Sequence, residues 1–199
     1  MPVGGALALT GVGVCMPIIM IVTAFASLVA SGGAPRASIA MGRGDNEEAQ
    51  KILGNCFLFQ VFISLLLSAA LLLWGRPILL VFGASENTIA YATDYLSIYA
   101  LGTLFVQLTL GMNAFITAQG FTKISMASVT IGAVCNIVLD PIFIYAFGMG
   151  VRGAALATIL SQAVSCVWVL VFLTGKKTLL RLQRHNLRFA PHILLPCLA

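Results

Sequence analysis

Five stretches of this chain, at about 8–31, 53–74, 92–117, 124–147 and 154–174, are apolar over more than 20 residues each. An α-helix rises 1.5 Å per residue, so about 20 apolar residues cross the roughly 30 Å hydrocarbon layer of a bilayer. That one feature sets the expected fold class: an all-α integral membrane protein with five transmembrane helices. A mean hydropathy of +1.03 and a charged fraction of only 9% agree with it. A sixth apolar segment begins at the C-terminal end, in FAPHILLPCLA. MPVGG carries no basic n-region and the first apolar run is too long for a cleavable leader, so that run is expected to stay in the membrane.

The net charge of +5 could suggest nucleic acid, but the basic residues lie in the connections between apolar runs. Arg36, Arg43 and Lys51 fall in the expected loop 32–52, Lys123 in 118–123, and Lys176, Lys177, Arg181, Arg184 and Arg188 in 175–190. The two opposite connections hold only Arg76 and Arg152. Because Lys and Arg concentrate on the cytoplasmic side, the expected partner is the lipid bilayer of the cell membrane, with the three basic loops inside and Met1 outside. An outside start is most simply explained by an upstream helix, so the chain is expected to be part of a longer polypeptide.

Several signals have plain structural explanations. Asp45 is placed to cap the second helix with Glu48 three residues on, and Ser85 to cap the third. Cys15, Cys56, Cys135, Cys166 and Cys197 lie in or beside apolar runs with no metal-ligand spacing, and read as packing residues. His185 and His192 sit in the basic C-terminal stretch and read as interfacial. GMGVRG matches the dinucleotide pattern G-x-G-x-x-G, but a bilayer-length run precedes it and no Asp or Glu occurs after Asp140. A tight turn between two membrane helices, with Gly148, Gly150 and Gly153 supplying positive φ or close approach, is the better reading.

Asp140 is the exception, as the only ionisable side chain between Lys123 and Arg152, about two turns inside the fourth run. A charge there costs several kcal/mol in lipid, so it should face a polar interior. Ser128, Gly132, Asn136 and Asp140 recur every four residues and form such a stripe. Pro141 lacks an N–H, which frees the carbonyl of Ile137 beside the acid and favours a kink. Thr158, Ser161, Gln162 and Ser165 share a face of the next run. If the hairpin turns at Met149, Thr158 lies level with Asp140, so Asp140, Asn136 and Thr158 are expected to converge on a cation or proton. Asp94 near the outer interface, Asn113 and Gln162 are secondary candidates. The alternative is an acid that merely glues helices, a task an amide or hydroxyl performs with less desolvation.

The order APRASIAMGRGDNEEAQKIL, PILLVFGASENTIAYATDYLSIYALG, NAFITAQGFTK and CNIVLDPIFIYAFGMGVRGAALAT resembles the multidrug and toxic compound extrusion (MATE) transporters over nearly the whole chain. The resemblance implies twelve helices in two six-helix lobes that exchange drugs for external Na⁺ or H⁺, with no cofactor. It makes residues 1–187 a partial N-terminal lobe and linker, holding helices two to six, and 188–199 the start of the second lobe. It also implies an N-lobe cation or proton site of Asp140, Asn136 and Thr158, completed by an acid on a first helix this chain does not contain. The expected function is therefore cation-coupled export of amphipathic or cationic drug-like molecules, in partnership with the second lobe. A lipid-linked sugar flippase of similar fold should carry basic residues in its cavity, and the marked runs have none. An enzyme would need paired acids, histidines or an activated nucleophile within the membrane, and only Asp140 is available. An inactive membrane fragment is the remaining alternative.

Overall fold

The computed structural model describes residues 5–175, 178–183, 186 and 190–198. Lys176, Lys177, Arg184, His185, Arg188 and the expected boundary at 187–188 lie outside them, as does the side chain of His192. The described residues form α1 (Ala6–Gly42), α2 (Asn46–Val81), α3 (Ile89–Ala118), α4 (Thr122–Pro141), a π turn (Ile142–Ala146), α5 (Val151–Thr174) and the short α6 (Pro191–Leu198). The first five helices are long and apolar enough to cross a membrane, α4 together with its π turn.

The helices outrun the apolar stretches that announce them. The expected loop 32–52 shrinks to Arg43–Asp45, because α1 continues through Pro35 and α2 starts at Asn46. A proline deletes one helical hydrogen bond. Ala37 and Ala40 beyond it remain buried against Ala49, Ile52 and Leu53 of α2, and that packing holds the last turns helical. Asp45 caps α2 as expected, its Oδ1 accepting from the Glu48 N–H at 2.9 Å. The expected Ser85 cap is corrected: Thr88 occupies the cap position of α3, and the Ser85 N–H donates to the Thr88 hydroxyl at 3.0 Å. The connections end in glycines with positive φ, Gly44, Gly83 and Gly120, a conformation that costs other residues energy.

α3 is the axis of the bundle, packed by α1, α2 and α5, while α4 leans mainly on α5. Two apolar clusters stack along α3. One gathers Cys15, Ile18, Leu71, Leu96 and Tyr99, the other Val29, Leu53, Met112, Phe115 and Val169. Between them lies a polar layer. Gln107 of α3 donates to the Val22 carbonyl of α1 at 2.7 Å, and Gln60 of α2 donates to Ala26 one turn further on at 3.3 Å. Gly111 makes room for the Gln60 amide, where a Cβ would collide with it.

Candidate functional site

The hairpin of α4 and α5 is held together at both ends. The Ser165 hydroxyl donates to the Ser128 carbonyl at 2.9 Å, and the Trp168 indole N–H donates to Ile124 at 3.4 Å. Gly132 has no side chain to meet Ser165, so the two backbones approach closely. At the far end Gly153 faces the Phe143 backbone, where a Cβ would come within 2.8 Å. Gly148 and Gly150 take φ of 64° and 56°, as the reading of GMGVRG as a turn requires. These contacts fix the register. Thr158 lies level with Asn136, and Asp140 sits one turn nearer the glycine turn. The hairpin centre is displaced from Met149 because the π turn takes up extra residues on the α4 side.

Pro141 ends the α-helical part of α4 and the π turn follows at once, closed by a 3.0 Å hydrogen bond from the Phe147 N–H to the Ile142 carbonyl. Such turns appear where a helix absorbs an irregularity, often at functional sites. Asp140 is half-buried, and the Asn136 amide reaches its Oδ1 at a long 3.5 Å. Among the described residues Asp140 takes part in no ion pair. Asn136 and Thr158 line a cavity of about 250 Å³ between α3, α4 and α5, together with Thr109, Ser161, Gln162 and Ser165. Asp140 adjoins it through Asn136.

The cavity's oxygens differ in how committed they are. The hydroxyls of Thr158, Ser161 and Thr109 donate to the carbonyls of Ala154, Ala157 and Gln162 at 2.9, 2.7 and 3.3 Å, which leaves their lone pairs free to accept. Gln162 Oε1 is buried with no hydrogen-bond partner among the described residues. Carboxylate, amide and hydroxyl oxygens are the ligands a hard cation takes, and a carboxylate alone suffices for a proton. Asn113, a turn along α3 from Thr109, donates to the Ser125 carbonyl at 3.4 Å and leaves its Oδ1 unpartnered. Asp94 is committed elsewhere, to an ion pair with Arg152 in the first turn of α5 at 2.9 Å. Opposite charges in the outer turns of two helices, Asp94 near the start of α3 and Arg152 at the start of α5, were the signal for that pair. Tyr95 was not foreseen: its phenol meets Thr158, linking α3 to the hairpin.

A profile of the MatE family matches residues 1–142. The chain belongs to the MATE family. MATE proteins are transporters rather than enzymes, and an all-helical chain with five membrane-length helices is a multi-pass membrane protein. The multidrug export protein MepA of Staphylococcus haemolyticus is 29% identical over 168 residues, which cover 84% of this chain and 37% of that protein. An FAD transporter of Shewanella oneidensis is 26% identical over 165 residues, covering 81% of this chain and 36% of its own length. In structure, the chain superposes on an inward-facing multidrug resistance MATE transporter with a TM-score of 0.92 and 25% identity, over 98% of this chain and 44% of that one. The chain thus spans well under half the length of the proteins it resembles.

Proposed function

We propose that this chain forms most of the N-terminal lobe of a cation-coupled multidrug exporter, with α1 to α5 as helices two to six and α6 opening the second lobe. The observation that carries the reading is Asp140: a membrane-embedded carboxylate with no counter-ion among the described residues, joined through Asn136 to a polar cavity that Thr158 shares. In this reading Na⁺ or H⁺ arrives from outside and competes for the one carboxylate, with Asn136, Thr158 and the freed Ile137 carbonyl as neutral ligands. Neutralising Asp140 beside the π turn biases the bend of α4, and the second lobe converts that bias into drug release. Among the described residues no Lys or Arg lines the cavity, which favours an exporter of cationic or amphipathic molecules over a flippase for phosphate-bearing lipids. The basic connections lie in the cytoplasm and residue 5 faces outside.

The deciding experiment uses the complete transporter in vesicles, with export of a fluorescent organic cation driven by a Na⁺ or pH jump. Asp140→Asn keeps the shape but removes the charge, so cation-driven export should be lost while expression and insertion persist. Asn136→Ala and Thr158→Ala should weaken coupling less, each deleting one neutral ligand. Export by Asp140→Asn with the parent's cation dependence would make Asp140 helix glue. Labelling Asp45→Cys from outside intact cells tests the orientation, and rapid modification there would invert it.

A further inference from the structure

Where α1 turns into α2, the structure holds a second cavity of about 250 Å³ that the transport reading does not use. Arg36 and Arg43 bound it, with Ile39 between them, Ile52 of α2 opposite and Glu48 on its wall. Residues 36, 39 and 43 share one face of α1, being spaced three and four apart. Neither guanidinium forms an ion pair among the described residues. The nearby acids are otherwise engaged: Glu47 pairs with Lys51 at 2.7 Å, and Asp45 caps α2. Glu48 lies more than an ion-pair distance from both arginines. Two arginines with no ion-pair partner among the described residues therefore frame one cleft.

The position of the cleft says what reaches it. At 1.5 Å per residue, Arg36 sits about 7 Å and Arg43 about 18 Å along the helix axis beyond the apolar run that ends near residue 31. The headgroup layer is about 5–8 Å deep on each face, so Arg36 lies within it, as do Ile52 and Glu48 counted back from the α2 run that starts at 53, while Arg43 lines the cleft from its aqueous side. Arginine presents a planar fork of donors that matches phosphate oxygens. Ile39, 54% exposed between the two forks, offers an apolar wall that an amphiphile can cover and a bare ion cannot. Basic clefts between membrane helices at a bilayer face hold anionic headgroups on the same physical grounds.

We infer that Arg36 and Arg43 form a binding site for a phosphate-bearing anion, occupied by the phosphodiester of an anionic phospholipid lying against Ile39. Glu48 tunes the site by repulsion, favouring a singly charged diester over a doubly charged free phosphate. The inference is independent of Asp140 and of the transport cycle.

Native mass spectrometry of the delipidated 199-residue chain in detergent micelles tests it, with phosphatidylglycerol, phosphatidylcholine and inorganic phosphate as separate probes. Phosphatidylglycerol should bind more tightly than phosphatidylcholine. Arg36→Gln and Arg43→Gln should each weaken it by about fivefold, the contribution of one arginine near a charged surface. Glu48→Gln should tighten binding, and Lys123→Gln, remote from the cleft, should leave it unchanged. Helicity and melting of each variant, followed by circular dichroism, separate loss of the site from loss of the fold. Inorganic phosphate that competes with the lipid and shows the same arginine dependence would keep the phosphate site but name a soluble occupant. Equal affinity for the two lipids, or binding indifferent to both arginines and to Glu48, overturns the inference.

Discussion

α3 and α4 both carry an amide and several hydroxyls along an apolar helix, yet they sit in opposite surroundings. Within the protein 67% of the apolar centre of α3 is buried, against 11% of the corresponding stretch of α4 and its π turn. On α3 the amides end on the main chain of neighbours, Gln107 on Val22 and Asn113 on Ser125. On α4, Asn136 and Asp140 turn mostly to each other and to a cavity, while Val134, Ile137 and Val138 stand open away from it. Polarity alone therefore does not distinguish glue from site. For the amides, what distinguishes them is whether the partner is a fixed backbone carbonyl or a carboxylate beside a space.

The comparison is broken most directly at close approaches. Gly102 of α3 faces Ile159 of α5 so closely that any Cβ would collide with its side chain. Gly102→Leu should destabilise the bundle by about 3 kcal/mol, the upper end of the usual cost of overpacking. Ala133→Leu, on the exposed face of α4, should leave stability unchanged while it fills the cavity and slows export. Denaturation of the chain in mixed micelles measures the first, and vesicle export by the complete transporter the second. Similar stability losses at both positions would mean that α4 is as fixed as α3.

A finer comparison sets one amide against the other. Gln107→Leu removes a hydrogen bond but also an unpartnered buried oxygen, so stability should change by no more than about 1 kcal/mol, as is common for polar contacts inside membranes. Cation-driven export should survive it. Asn136→Leu should be equally mild for stability but should cut the cation dependence of export. Loss of coupling in Gln107→Leu would dissolve the contrast between glue and site. The smallest effect belongs to Arg152→Gln, because the ion pair with Asp94 is half in solvent, with side-chain exposures of 62% and 39%. It should lower the melting temperature only slightly, and by less as salt rises, as read by melting at two ionic strengths.

How much of this was legible depended on range. The five spans, the Asp45 cap and the glycine turn at 148–150 are local in cause, set by hydropathy, one side chain and a backbone angle, and they could be read directly. Helix ends were misjudged where a local signal lost to packing. Gly32, Gly33 and Pro35 look like a terminus, but Gly33 is the notch that admits Cys56 and Phe115, and α1 runs through all three. Ser85 failed for a local reason, because its own N–H and hydroxyl turn to the Thr88 hydroxyl and the helix begins only after Thr88. The stripe through Asn136 and Asp140 was visible as periodicity. Its neighbours Tyr95 and Thr109 were not, because they come from α3, and only the folded register of three helices brings them to the hairpin.

The π turn after Pro141 has one more consequence. It counts an extra residue per turn, so it works as a phase shifter between the stripe that ends at Asp140 and the aromatic tip beyond, where Tyr145 and Phe147 face outward at 71% and 67% exposure. Removing a single residue between 142 and 146 would return the segment to α-helical phase and swing the glycine turn by about 100°. Gly153 would then no longer meet Phe143, and α5 would enter the bundle out of step. Length changes in this lineage should therefore collect at Arg43–Asp45 or at the connection after Thr174, and spare these five residues, whose number matters more than their identity.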